Sequence, residues 1–102
     1  MTEFYEQVKE RLMRYVRINT ESNPHSTSVP TTSCQHDLAS VIYEEFQKIG
    51  ATNVYYDKDT CVVYGSLEAN VKSGRAIGFV THMDTAPDAS GKDVKPWVLE
   101  NY

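Results

Sequence analysis

The sequence predicts an α/β fold of two helices and about three strands. Two segments, residues 2–18 and 32–49, carry apolar residues at helical spacing. Two later segments, 52–57 and 60–67, are rich in β-branched and aromatic residues, which favour strands. A further run at 76–80 is apolar without polar alternation, which is typical of a strand covered on both faces.

The first helix is predicted over residues 2–18. Phe4, Val8 and Leu12 recur every fourth residue and form one apolar stripe. Thr2 is suited to cap the N-terminus of this helix.

Two polar segments interrupt the pattern as loops. Residues 19–33 are dominated by Asn, Ser, Thr and Pro, and residues 68–74 form a shorter loop. We expect the hydroxyl groups and His25 of the first loop to be solvated. Loop chemistry returns after residue 80, with a short extended piece possible near Trp97.

The second helix is predicted over residues 32–49. Thr32 and Gln35 have the spacing of a capping box, and Gly50 is placed to end the helix in a left-handed conformation. His36 falls in the first turn, where we expect it to face solvent.

The strands begin after this helix. Residues 52–57 and 60–67 are separated by the turn sequence "DKD", so an antiparallel hairpin is predicted. The run at 76–80 would add a third, buried strand.

Composition narrows the class of protein. The 102 residues carry a formal net charge of −4, with scattered basic residues, which argues against a nucleic-acid surface. No apolar run is long enough to span a membrane, and the first residues do not resemble a signal peptide. Cys34 and Cys61 form no C-x-x-C pair and are expected to be reduced thiols, which predicts a cytoplasmic location.

The chemistry-bearing residues follow the apolar run at 76–80. His82 and Asp84 lie just past its end, where α/β sheets gather their ligand sites. In extended backbone, residues two apart point the same way, so the imidazole and the carboxylate would face one crevice. This pair suits zinc binding, with the histidine as ligand and the carboxylate fixing its tautomer.

The residues alone leave a second interpretation open. A His-x-Asp sequence occurs by chance in many proteins, and neither Ser90 nor Cys61 has the local signature of a nucleophile. Asp88 and Asp93 fit a solvated loop better than a site.

Several stretches together resemble the M20 family of co-catalytic zinc peptidases. An H-x-D after an apolar strand is typical of that family, and "HMDTAPDASGK" with "ENY" behind it is similar to its tripeptide-aminopeptidase branch. The segment "VPTTSCQHDLASVIYEEFQKIGATNV" and "LEANV" extend the resemblance over nearly the whole chain. It implies a three-layer α/β/α zinc-exopeptidase-like catalytic domain, with residues 1–102 as its N-terminal part.

The resemblance also implies roles and a cofactor. His82 corresponds to a ligand of one of two zinc ions, and Asp84 corresponds to the catalytic-site aspartate that orients that histidine. The family's other metal ligands and its general base lie later in the sequence, so this chain alone is expected to be inactive. The intact protein is expected to release the N-terminal residue of tripeptides.

Two other functions and one assembly remain possible. The chain could be part of another M20 hydrolase, a dipeptidase or an N-acyl amino-acid hydrolase, or it could be a small α/β interaction module without catalysis. Expected partners are tripeptide substrates, with neither nucleic acid nor membrane. The apolar strand at 76–80 should either pair with the hairpin or join chains into a homo-oligomer through its edges.

Overall fold

A computed structural model describes residues 2–72 and 74–102; Ser73, in the loop predicted at 68–74, lies outside the described residues. The described residues form, in order, α1 (Thr2–Tyr15), α2 (Gln35–Lys48), β1 (Thr52–Asp57) and β2 (Val62–Ser66). The two strands pair antiparallel. The α/β class is therefore confirmed, with one strand fewer than predicted. None of the helices in the described part is long and apolar enough to cross a membrane.

The core lies between α2 and the hairpin. Leu38 and Ala39 of α2 are buried there, together with Cys61 from the turn before β2. Gly65 of β2 makes this packing possible: a Cβ atom at that position would lie 2.7 Å from the Phe46 ring. The absence of a side chain at Gly65 lets α2 approach the sheet closely.

The start of α2 differs from the sequence prediction. The helix begins at Gln35 rather than Thr32, after Cys34, which makes no side-chain cap. The side-chain Nε2 of Gln35 donates to the hydroxyls of Thr31 and Thr32 at 3.2 and 3.0 Å. The predicted capping box is wrong because the helix begins only at Gln35, and the hydroxyl of Thr32 accepts from the Gln35 amide and donates to the carbonyl of Glu21.

The end of α2 follows the prediction. Gly50 adopts a φ of +80°, the left-handed conformation that glycine accepts without steric cost. Its N–H donates to the carbonyl of Gln47, and the N–H of Ala51 donates to that of Phe46. This pair of bonds is a Schellman motif, which satisfies carbonyls left open at a helix end.

The hairpin keeps the predicted pairing with a longer turn. Tyr55 of β1 pairs with Tyr64 of β2, and their rings stack with centroids 6.2 Å apart. The carboxylate of Asp57 accepts the N–H of Asp59, which closes the turn. Cys61 has a positive φ of 59°, so it belongs to the turn, and β2 begins at Val62 rather than at residue 60.

The apolar stripe of α1 is exposed. Phe4, Val8 and Leu12 are 67%, 46% and 59% exposed, and the described residues of this helix include none that is buried. Polar contacts attach its C-terminal half to α2 instead, because Glu45 forms an ion pair with Arg11 at 3.3 Å and also contacts Arg14 and Tyr15. The small core formed by α2 and the hairpin leaves the stripe uncovered.

The strand predicted at 76–80 does not form. These residues have no regular secondary structure, and Ile77, Phe79 and Val80 are 82%, 90% and 100% exposed. The hairpin does not pair with this run, so the expected pairing of residues 76–80 with the hairpin is wrong. A run that is apolar on both faces needs neighbours on both sides to become a buried strand. The extended piece near Trp97 likewise has no strand pairing.

The surroundings of His36 also differ from the sequence prediction. It is half-buried, its Nδ1 atom contacts the hydroxyl of Tyr56, and the two ring centroids lie 5.9 Å apart. Tyr43 of α2 packs against the same tyrosine at 6.2 Å. His36 therefore joins α2 to β1 and does not face solvent.

Candidate functional site

His82 and Asp84 occupy a short connection between an exposed run and a segment that is held by hydrogen bonds. Before them lie the exposed residues 76–80, and after them the chain is fixed at Thr85, which forms a parallel bridge with Glu21. The pair is thus held from its C-terminal side. No regular element carries it, since residues 76–84 are neither helix nor strand.

The two side chains meet, as the spacing predicts. Nδ1 of His82 lies 3.1 Å from Oδ1 of Asp84 and 2.9 Å from the backbone carbonyl oxygen of Asp84. A carbonyl oxygen can only accept, so Nδ1 is the protonated nitrogen that donates to both oxygens. In the neutral ring, the second nitrogen, Nε2, then keeps a free lone pair.

The imidazole is open to a binding partner. The His82 side chain is 84% exposed and that of Asp84 is 42% exposed. A neutral imidazole whose other nitrogen donates to a carboxylate or carbonyl is the form in which histidine binds metals. The pair can therefore present one well-defined nitrogen ligand.

The pair does not amount to a complete metal centre. Residues 2–72 and 74–102 contain no group of three or more His, Cys, Asp or Glu side chains placed to hold one ion. A catalytic zinc site has three protein ligands. The donor chemistry of His82 fits zinc, and the described residues supply only this part of a site.

A second set of contacts fixes the chain directly after Asp84. The N–H of Thr85 donates to the carbonyl of Thr20 at 3.0 Å, and the N–H of Ser22 donates to the carbonyl of Thr85 at 2.9 Å. The carboxylate of Glu21 accepts the N–H of Gly91 at 3.0 Å. The loop after the pair is thereby tied to the segment that follows α1.

A shallow recess of about 400 Å³ borders Asp84. Its walls are mostly hydroxyl, amide and proline groups of the polar loop before α2. They comprise Ser22, Asn23, Pro24, Ser28, Val29, Pro30, Thr31, Gln35, Thr60 and Asp84. The polar loop and Asp84 therefore face a common space.

Sequence reasoning missed the role of this polar loop. It treated residues 19–33 as solvated, yet Thr20 is 3% exposed and Glu21 contacts residues more than sixty positions away. No local pattern marks these residues, because their partners are set by long-range packing. His25, by contrast, lies exposed in the loop as expected.

Comparison with known proteins identifies relatives of the chain. No family model matches the chain. A peptidase T of Alkaliphilus oremlandii is 43% identical over 96 residues, which cover 91% of this chain and 23% of that protein. A peptidase T of Streptococcus equi subsp. equi is 44% identical over 100 residues, covering 96% of this chain and 24% of that protein.

The chain is homologous to one segment of peptidase T. A peptidase T of Bacillus cereus agrees, at 46% identity over 94 residues that cover 91% of this chain and 23% of that protein. The chain spans about a quarter of the length of these peptidase T relatives, which is consistent with an N-terminal fragment. The similarity assigns no role to His82 or Asp84, so their roles stay predictions.

Proposed function

We propose that this chain is the N-terminal part, residues 1–102, of the catalytic domain of a zinc-dependent tripeptide aminopeptidase of the peptidase T type. Identity of 43–46% to proteins named peptidase T, over more than nine tenths of the chain, supports the proposal. The observation that carries the chemistry is the contact between His82 and Asp84, which leaves Nε2 of His82 free to bind metal.

His82 would be one zinc ligand of that enzyme, and Asp84 would hold the proton on Nδ1 and so fix the ring. The remaining ligands would come from residues outside this chain, since the described residues gather no group of three. When bound, zinc would supply Lewis-acid activation of the peptide carbonyl and of a water molecule. The 102-residue chain by itself would bind zinc weakly and hydrolyse no peptide.

We also propose a cytoplasmic location and a tripeptide substrate. Cys34 and Cys61 are both free thiols, which suits a reducing compartment. The name shared by the relatives favours peptidase T over a dipeptidase or an N-acyl amino-acid hydrolase.

A non-catalytic interaction module is the second candidate, and one observation favours it. Ile77, Phe79 and Val80 present an exposed apolar run beside an incomplete metal site, as a surface for protein contact would. In the aminopeptidase, the same run would be covered by the rest of the enzyme.

The test separates these functions in a complete enzyme. In a hybrid peptidase T, residues 1–102 of this chain replace the homologous segment of the Bacillus cereus protein. We expect the hybrid to release the N-terminal residue of tripeptides, and His82→Ala to abolish most of that activity. His25→Ala, in the exposed loop, is the matched control and should leave activity unchanged. A folded but inactive hybrid, or one unaffected by His82→Ala, would contradict the proposal.

A further inference from the structure

The contacts around Glu21 join segments that lie far apart in the described chain. Its carboxylate accepts the N–H of Gly91, 70 residues away, and its backbone forms a bridge with Thr85. These contacts bracket the loop that begins directly after Asp84.

Glu21 is itself fixed to the residues directly before α2. Its carbonyl accepts the hydroxyl of Thr32 at 2.7 Å and the thiol of Cys34 at 3.8 Å. Its N–H donates to the side chain of Asn19 at 3.1 Å. The backbone of Glu21 thus connects the segment directly before α2 to the loop that follows the His82–Asp84 pair.

Gly91 shows how closely the loop approaches. A Cβ atom there would lie 2.6 Å from Oδ1 of Asn19 and 3.3 Å from Cβ of Glu21. Real Cβ contacts are essentially never shorter than 3.0 Å, so with a side chain at position 91 either the Asn19 side chain or the loop would have to move. The absence of a side chain lets the loop approach closely enough for the N–H of Gly91 to reach the Glu21 carboxylate.

Thr85 transmits this constraint to the pair. It is bonded on both sides, since its N–H donates to Thr20 and its carbonyl accepts the N–H and the hydroxyl of Ser22, at 2.9 and 3.0 Å. Asp84 precedes it directly, and its backbone carbonyl is one of the two oxygens that contact Nδ1 of His82. The position of Thr85 therefore decides where that carbonyl points.

We propose that Glu21 is a positioning residue, which holds the loop from Thr85 to Gly91 so that Asp84 fixes the imidazole of His82 for metal binding. This inference rests on the proposed function of the pair. It assigns Glu21 no contact with substrate or metal.

The first test measures the ring of His82 in the 102-residue chain. Nitrogen-15 NMR at pH 8 reports which imidazole nitrogen carries the proton, because an unperturbed histidine is neutral there. We expect the Nδ1–H tautomer in the unaltered chain, a shift toward the averaged values of both tautomers in Glu21→Ala, and restoration in Glu21→Gln, whose amide oxygen can still accept from Gly91. Glu44→Ala, an exposed glutamate on α2, is the matched control.

Gly91→Ala breaks the same contact from the other side while keeping Glu21, and it should shift the His82 nitrogens in the same direction. Circular dichroism shows whether Glu21→Ala and Gly91→Ala are folded. If both are folded and the nitrogen-15 shifts of His82 are unchanged, Glu21 does not position the imidazole. Loss of folding in both variants would also overturn the inference, since the network would then support the fold and not the pair. Failure of Glu21→Gln to restore the signal would also overturn the inference, because the hydrogen bond to Gly91 is the contact from which it is argued.

The second test uses the hybrid peptidase T. Glu21→Ala should lower kcat about 10-fold, the lower end of the loss that follows removal of outer partners of a metal ligand, with KM unchanged. Equal kcat in Glu21→Ala and in the unaltered hybrid would contradict the inference. An inactive hybrid with the His82 shift intact would defeat the proposed function and leave the positioning role standing.

Discussion

A single atom of His82, Nδ1, lies within hydrogen-bond distance of two oxygens of Asp84, the backbone carbonyl at 2.9 Å and the carboxylate at 3.1 Å. One residue thus supplies both acceptors, and only one of them can be removed by substitution. The carboxylate is the part that adds negative charge and so raises the basicity of the ring.

Replacing the Asp84 carboxylate tests how much it contributes to metal binding by His82. In the hybrid peptidase T, Asp84→Asn should lower zinc affinity or activity by about 10–100-fold, since the neutral amide supports the imidazole less well. Asp88→Asn, an exposed carboxylate of the same loop, is the control and should have little effect. Peptidase assays and zinc titration measure both. An Asp84→Asn hybrid indistinguishable from the unaltered one would remove the orienting role from the carboxylate.

Glu45 is predicted to hold α1 on the rest of the chain. Its side chain is 13% exposed and contacts Arg11, Arg14 and Tyr15. We expect Glu45→Ala to lower the free energy of unfolding by about 1–2 kcal/mol, because it removes the shared acceptor of three donors. Glu44→Ala, at the neighbouring exposed residue, is the control, and its free energy of unfolding should change by no more than about 0.5 kcal/mol. Urea unfolding that gives equal values for both variants would show that α1 is held by other contacts.

Alkaline pH should weaken the core around Cys61. Burial raises the pKa of its thiol above the ordinary value of 9.0, and burial likewise raises the pKa of Tyr56 above 10.0. The unfolded chain then loses these protons first, so stability is complete below about pH 9 and falls as pH rises through the raised pKa values. Melting temperatures between pH 7 and 11 measure this loss.

The matched pair of variants isolates the thiol. Cys61→Ala should flatten the fall of the melting temperature above pH 9, whatever its effect at neutral pH. Cys34→Ala, which removes the half-buried thiol, should leave the slope unchanged. The same slope in Cys61→Ala and the unaltered chain would mean that Cys61 does not carry the pH dependence.

The exposed run at 76–80 is predicted to drive self-association of the isolated chain. Ile77, Phe79 and Val80 are nearly fully exposed, and burying apolar surface yields about 25 cal/mol per Å². Light scattering should show a mass that rises with concentration, and Phe79→Lys should suppress the rise. Val29→Lys, at an apolar position 68% exposed in the polar loop, should not. A sharp monomer at high concentration would exclude this assembly.

Local signals in the sequence predicted the elements but not their surroundings. The helical spacing located both helices, and Gly50 marked the end of α2 because a left-handed residue is a local requirement. The apolar run at 76–80 was predicted to be a buried strand, yet it is exposed, and so is the apolar stripe of α1. Periodicity reports which face is apolar, whereas burial depends on what the rest of the chain places against it.

Only part of the candidate site could be predicted from the sequence. The spacing of His82 and Asp84 predicted that they would meet, since two residues in one extended stretch share a direction. The role of Glu21 could not be predicted from local spacing, because its partner Gly91 is 70 residues away and no local pattern links them. The polar composition that suggested a solvated loop is also what lets it form these hydrogen bonds.

The most direct measurement of the central claim is the zinc content of the hybrid peptidase T after dialysis, with and without the imidazole of His82. The account predicts two zinc ions for each chain in the unaltered hybrid and in His25→Ala. In His82→Ala, elemental analysis should find the loss of at least one ion, with tripeptide hydrolysis lost in parallel. Full zinc content in a folded His82→Ala hybrid would contradict the assignment of His82 as a metal ligand.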